Sequence, residues 1–159
     1  MPLSSVVFLV LVGVRGYHAI GGFIRIISQL AKGAKIVDLD TKSILLVGQN
    51  LFFLGKVDAL AEPLGHEVQR AATESDFKEK AQDHRLALVL IDLEGDESIW
   101  VPVLEDIKNN RMGVKTVAFG PHENVAVLQQ ARDLGCSMVL NKGEFNRDLP
   151  RIIQEIRNG

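Results

Sequence analysis

Five stretches of the chain carry the apolar runs that predict β-strands. Residues 44–47 and 86–92 are nearly continuous in hydrophobic side chains, whereas residues 66–71, 114–119 and 137–141 are more mixed. A continuous apolar run is typical of a strand with both faces covered, as in a parallel sheet between two layers of helices. The hydrophobic pattern therefore predicts five parallel strands.

The segments between these runs carry helical periodicity and helix-ending signals. Asn50 and Thr73 are placed to cap helices, and Gly65 is placed to stop the first of them. Pro102 and Pro150 are each expected in the first turn of a helix, where a missing N–H costs least. The helices are predicted at residues 51–64, 74–84, 99–109, 123–134 and 146–157.

This alternation of five strands with five helices predicts a doubly wound α/β sheet with right-handed crossovers. We expect a five-stranded parallel sheet of the flavodoxin-like kind, with strand order 2-1-3-4-5, over residues 42–159. In such a sheet, ligands collect at the carboxyl ends of the strands where the strand order reverses. Functional residues are therefore expected directly after strands one, three and four.

Residues 1–41 form an apolar N-terminal extension that is open to three interpretations. We favour an amphipathic helix packed on the rest of the chain or on a second copy, since Tyr17, Ile20, Ile24 and Ile27 recur at helical spacing. Membrane contact by this segment is the second interpretation, although a charged residue such as Arg25 opposes a full span.

The third interpretation of the extension is a dinucleotide-binding βαβ unit. An apolar run precedes glycines at positions 13, 16, 21 and 22, and Asp38 or Asp40 follows near the distance where an acid meets a ribose. The spacing G-x-G-x-x-G is absent, however. A small nucleotide-binding protein with a Rossmann-like fold is therefore kept as an alternative.

Charge and composition narrow the classes of partner. The 159 residues include 18 Lys and Arg and 20 Asp and Glu, a net charge of -2, and the basic residues are scattered. A nucleic-acid backbone needs a concentrated positive surface, so no nucleic-acid binding is expected. The single cysteine, Cys136, excludes an internal disulfide and fits a reducing cytoplasm, where we expect this protein.

Two charged residues stand at the ends of predicted strands on the side where ligands collect. Asp92 closes the apolar run at residues 86–92, and Lys142 closes the last run. The pair is typical of a phosphorylation pocket. The first strand runs instead into Gly48 and Gln49, where such a pocket would need acids to hold a metal.

These features together resemble the receiver domain of two-component response regulators. The resemblance covers residues 42–159 and rests on Asp92, Lys142, the turn at residues 131–136 and Phe145 at the start of the last helix. It implies that Asp92 stands at the phosphoacceptor position and that Lys142 stands at the position of the family's lysine.

The same resemblance identifies positions where this chain departs from the family. Gly48 and Gln49 occupy the positions of an acid pair, and Gly120 occupies that of a Thr or Ser that holds the phosphoryl group. Val139 stands where the family usually has an aromatic residue, and Gly143 replaces a common proline. The resemblance therefore implies a degraded pocket.

A pocket of this kind would need Mg²⁺, which is normally held by one or two carboxylates with water and phosphate oxygens. Asp92 alone is a poor magnesium site, so we expect no cofactor and no catalysis. Asn50 or Gln49, together with Glu94, are candidate oxygen ligands of a rearranged metal site on the pocket rim. His122, also on the rim, is more typical of a solvated turn residue.

For Asp92 and Lys142 the favoured interpretation is a partly buried structural ion pair. Such a pair need not add stability, but removing one partner would strand the other at a cost of roughly 3 to 5 kcal/mol. Occasional phosphorylation of Asp92 and a site for another ligand remain as alternatives.

We therefore expect a receiver-like signalling module that acts through protein contacts without Mg²⁺-dependent phosphorylation. Its partner would be a signalling protein, either a histidine kinase or an output protein, and a homodimer is a further alternative. We expect no output domain after Gly159, and the expected docking surface is therefore the face built from the fourth helix, fifth strand and fifth helix. The main competing function is a response regulator phosphorylated on Asp92.

Overall fold

The computed structural model describes residues 41–110 and 112–156. The predictions for the N-terminal extension, including the amphipathic helix, the membrane contact and the glycines at 13 to 22, fall on residues outside this range. Among the helices that the structure describes, none combines the length and the apolar character needed to cross a membrane.

A five-stranded parallel sheet forms the centre of the described region, and its strand order 2-1-3-4-5 is the predicted one. Val47 lies opposite Ile91 in the pairing of the first and third strands, so the carboxyl ends of these strands are neighbours. The strands are β1 (Ser43–Val47), β2 (Glu67–Ala71), β3 (Leu86–Asp92), β4 (Lys115–Gly120) and β5 (Met138–Asn141).

Five helices connect and follow the strands, as the periodicity predicts. Asn50 and Thr73 cap the first two, their side-chain oxygens accepting the backbone N–H groups of Phe52 at 3.0 Å and Asp76 at 3.1 Å. A short 3-10 turn prolongs the first helix as far as Gly65, which has the left-handed backbone expected of a helix stop. The helices are α1 (Leu51–Ala61), α2 (Glu74–Lys80), α3 (Glu97–Asn109), α4 (Val125–Asp133) and α5 (Lys142–Glu155).

The predicted start of the last helix, at residue 146, is wrong. The helix begins at Lys142 because Asn141 and Glu144 form a capping box, in which each side chain accepts the other residue's backbone N–H at 2.9 Å. Pro150 consequently lies inside the helix and not in its first turn. Pro102 is likewise inside α3, which begins at Glu97.

The sheet divides the core into two apolar layers. Ile44 and Leu46 face one layer while Leu45 and Val47 face the other, because successive side chains of a strand point to opposite faces. Helices α1 and α5 cover the first layer, and helices α2, α3 and α4 cover the second. Both faces of the central strands are thus buried, which explains their continuous apolar runs.

Candidate functional site

Asp92 is the last residue of β3 and lies at the carboxyl edge of the sheet. It is only 4% exposed, and its Oδ1 accepts the backbone N–H of Glu94 at 3.1 Å. Burial raises the pKa of Asp92 above its ordinary value, although this hydrogen bond and the charge of Lys142 act in the opposite direction. The negative charge of Glu94 adds to the rise. Asp92 is therefore harder to ionise than an exposed aspartate.

Gly48 follows β1 and packs directly against Asp92. Its φ is +147°, and a Cβ at this position would lie 3.0 Å from the Cβ of Asp92. Residues with side chains rarely adopt this backbone conformation, so both the backbone and the contact select glycine. An acidic side chain at position 48 would require the turn after β1 to move.

Lys142 is the first residue of α5, and its ammonium group pairs with the carboxylate of Glu94. The Nζ atom also lies 5.7 Å from the centre of the Phe53 ring. The predicted direct ion pair between Asp92 and Lys142 is wrong, since the structure pairs Lys142 with Glu94. The physical reason is that the longer, half-exposed Glu94 side chain meets the ammonium at the rim, whereas the short Asp92 side chain is buried below it.

The remaining rim residues predicted from the sequence make local contacts. The Oδ1 of Asn50 accepts the N–H of Phe52 and serves as a helix cap, while Gln49 is exposed. His122 is also exposed, and its Nδ1 lies 3.4 Å from the Oε2 of the adjacent Glu123. These contacts tie Asn50 and His122 to their own loops.

Gly120 ends β4 and is buried on the opposite side of Asp92 from β1. A Cβ at this position would lie 3.2 Å from the Cβ of Leu93 and 3.6 Å from the Cδ2 of Leu128. Leu93 and Leu128 thus crowd the space that a Thr or Ser side chain would need.

No protein-family model matches the chain, and no curated protein matches it significantly. Many solved structures do match. A receiver domain protein (CheY-like) from Methanospirillum hungatei JF-1 is 24% identical with a TM-score of 0.62, over 74% of this chain and 94% of that one. The chain has the receiver fold.

Two further structures show the same receiver fold. A response regulator from Thermotoga maritima is 18% identical with a TM-score of 0.60, over 75% of this chain and 99% of that one. The phosphorylated cyanobacterial phytochrome response regulator RcpA is 21% identical with a TM-score of 0.58, over 73% of this chain and 91% of that one.

The pocket of this receiver fold does not offer a donor set that fits Mg²⁺. Its carboxylates are Asp92 and Glu94, and the second is already neutralised by Lys142. In the ranges 41–110 and 112–156, no three His, Cys, Asp or Glu side chains come together as a metal-binding group. Mg²⁺ requires near-octahedral oxygen ligands, and one carboxylate without a lysine partner does not provide them.

Three phenylalanines support the pocket from below. Phe119 and Phe145 stack with ring centres 3.9 Å apart and planes at 7°, and Phe53 contacts Phe119 at 4.8 Å between ring centres. This cluster holds Phe53 under Lys142. Sequence reasoning singled out Phe145 but missed the cluster, because its three members come from α1, β4 and α5 and meet only in the fold.

Proposed function

We propose that this receiver fold is a signalling module of the two-component type that acts by protein contact, without Mg²⁺-dependent phosphorylation. The signalling class is supported by the similarity to response regulators. The mode of action is supported by the departures of the pocket from a metal site. The module is not an enzyme in this proposal, and its place is the cytoplasm.

The observation that carries the proposal is the contact of Gly48 with Asp92. Transfer of a phosphoryl group to a carboxylate needs a cation to neutralise the developing charge. The residue after β1 is where a carboxylate would have to help hold that cation. There the backbone has φ +147°, and a Cβ would lie 3.0 Å from the Cβ of Asp92, so a side chain is both strained and crowded. Position 48 therefore supports a pocket without Mg²⁺.

Exposed apolar side chains support action through protein contacts. Leu51 and Phe52 at the start of α1 are 63% and 71% exposed, and Val125 at the start of α4 is 66% exposed. These helices follow β1 and β4, so all three residues stand at the carboxyl edge of the sheet, the edge at which Asp92 lies. Apolar groups gathered at one edge are typical of a protein-binding surface. The partner in this proposal is a histidine kinase or an output protein.

The proposal is tested by incubating the full chain with acetyl phosphate and Mg²⁺ and measuring its intact mass. We expect no mass increment of one phosphoryl group above that of Asp92→Asn under the same conditions. RcpA, which is known in a phosphorylated form, is the positive control.

Stoichiometric phosphorylation that disappears in Asp92→Asn would contradict the proposal. It would establish the second candidate function, a response regulator phosphorylated on Asp92. That candidate is favoured by the position of Asp92 at the carboxyl end of β3, the strand between β1 and β4.

A further inference from the structure

In the part of the chain that the structure describes, the Asp92 pocket contains two carboxylates, Asp92 and Glu94, and one cation, Lys142. The cation, Lys142, contacts the carboxylate of Glu94 and lies over the Phe53 ring. Among the described residues, the hydrogen-bond partner of the Asp92 carboxylate is a backbone N–H, that of Glu94. One ammonium group thus faces two candidate partners, and the more exposed of them holds it.

We propose that Glu94 sets the charge of this pocket: it holds the Lys142 ammonium at the rim, so that Asp92 is left without a cation of its own. Glu94 is in this sense a positioning residue for Lys142. The inference rests on the proposed function in one respect, because a bound divalent cation would supply the positive charge instead.

A fixed helix start and two contacts of the ammonium group hold the cation at the rim. The capping box of Asn141 and Glu144 fixes the backbone at the start of α5, where Lys142 is the first residue. The ring of Phe53 lies beneath the ammonium and is itself held by Phe119. The carboxylate of Glu94, on the loop after β3, forms the ion pair with this ammonium group.

The balance between the two carboxylates follows from burial. The Glu94 side chain is 43% exposed, so its ion pair with Lys142 keeps much of the water around both charges. A pair of Lys142 with Asp92, which is 4% exposed, would bring the ammonium out of water, and that desolvation opposes the Coulomb attraction. Glu94 is therefore the better partner.

Among the described residues, two charged groups act on the ionisation of Asp92. The segment after β1 contributes Gly48 and the neutral Gln49, and β4 contributes Gly120. The charges that influence the ionisation of Asp92 are those of Lys142 on α5 and Glu94 on the loop after β3. A change in the pairing of these two groups should consequently change the pKa of Asp92.

The test follows the ionisation of Asp92 through the ¹³C signal of its carboxyl carbon, in the full chain and in buffer with EDTA. In Glu94→Gln the ammonium group of Lys142 is released towards Asp92. We expect the acid dissociation constant of Asp92 to rise roughly ten-fold or more, because a nearby positive charge favours the ionised carboxylate. In the double variant Glu94→Gln with Lys142→Met this rise is expected to disappear.

Two results would overturn the inference. One is a change in Glu94→Gln smaller than about two-fold, which is a shift of about 0.3 in pKa. The other is an equal rise in the double variant, which would mean that loss of repulsion from Glu94, and not the released lysine, causes the effect. A loop that is merely destabilised changes the unfolding midpoint without producing this dependence on Lys142.

Glu123→Gln is the matched control. It removes the exposed contact of Glu123 with His122 on the next loop and leaves Lys142 untouched, so the titration of Asp92 should not change. The outcome of the Asp92 titration is distinguishable from that of the phosphorylation assay. Phosphorylation of Asp92 with Mg²⁺ would refute the proposed function while the metal-free titration still decides the role of Glu94.

Discussion

Gly48 makes the most specific prediction at the scale of single residues. Gly48→Ala should lower the free energy of unfolding by roughly 1 to 3 kcal/mol through backbone strain, and Gly48→Asp by more, because the added side chain presses on Asp92. Urea denaturation of both variants measures the effect.

Gly55 provides the comparison for this prediction. It lies within α1, and a Cβ there meets nothing within 4 Å, so Gly55→Ala should stabilise the protein by up to about 1 kcal/mol. Equal stability of the wild type and Gly48→Ala would show that the turn after β1 tolerates a side chain.

Asp92 makes a second residue-scale prediction, on pH. Burial raises its pKa in the folded protein, so the folded state holds this proton more tightly than the unfolded chain does. Stability is therefore lost as the pH rises from the unfolded pKa of about 3.9 through the folded pKa. Asp92→Asn lacks this loss and should gain stability relative to the wild type between about pH 4 and pH 7, measured by urea midpoints.

Asp96 should show the opposite sign. Hydrogen bonds from Ser98 lower its pKa, so its contribution to stability is present above the unfolded pKa and lost as the pH falls. Asp96→Asn should thus lose stability relative to the wild type as the pH rises over the same interval. If both variants changed in the same direction, burial of Asp92 would not be the cause.

At the scale of elements, the strands were more predictable than the helix starts. The continuous apolar run at residues 86–92 predicts β3 because both of its faces are buried. The sequence places the start of α5 too late because an interior proline costs about 3 kcal/mol, so Pro150 favours a position in the first turn. The buried residues Leu149 and Ile152 on either side of it offset that cost in the fold.

The capping box of α5 yields the element-scale prediction. Asn141→Ala should cost about 1 kcal/mol or more, since it leaves the backbone N–H of Glu144 without its acceptor and breaks the reciprocal pair. Asn124→Ala at the start of α4 removes one longer bond, 3.4 Å to the N–H of Val127, and should cost less. Thermal unfolding of the two variants decides the order, and the reverse order would refute it.

At the scale of the whole molecule, the sequence located the pocket but not its pairing. Asp92, Lys142 and Gly48 were placed at the correct edge because parallel strands end on the same side. Whether Lys142 reaches Asp92 or Glu94 depends on side-chain length and on the depth of each carboxylate. The burial of each carboxylate is a property of the packed structure, and no local sequence pattern predicts it.

Strand order makes a prediction for the molecule as a whole. Strands β1, β3 and β4 lie inside the sheet, whereas β2 and β5 lie at its edges and are half-buried over most of their length. Amide hydrogen exchange should therefore be slowest in β3 and faster in β2 and β5. Exchange measured by mass spectrometry on peptides covering each strand tests this, and equal protection of β5 and β3 would contradict it.

The backbone at Gly48 also constrains the order in which mutations could accumulate. A single substitution of Gly48 by an acidic residue causes backbone strain and a close contact with Asp92, and these costs arise even if no metal is bound. An acid at position 48 is therefore tolerated without loss of stability only if earlier substitutions elsewhere let the turn after β1 change its conformation. Directed evolution towards a metal-binding pocket should consequently select substitutions in that turn before it selects an acid at position 48.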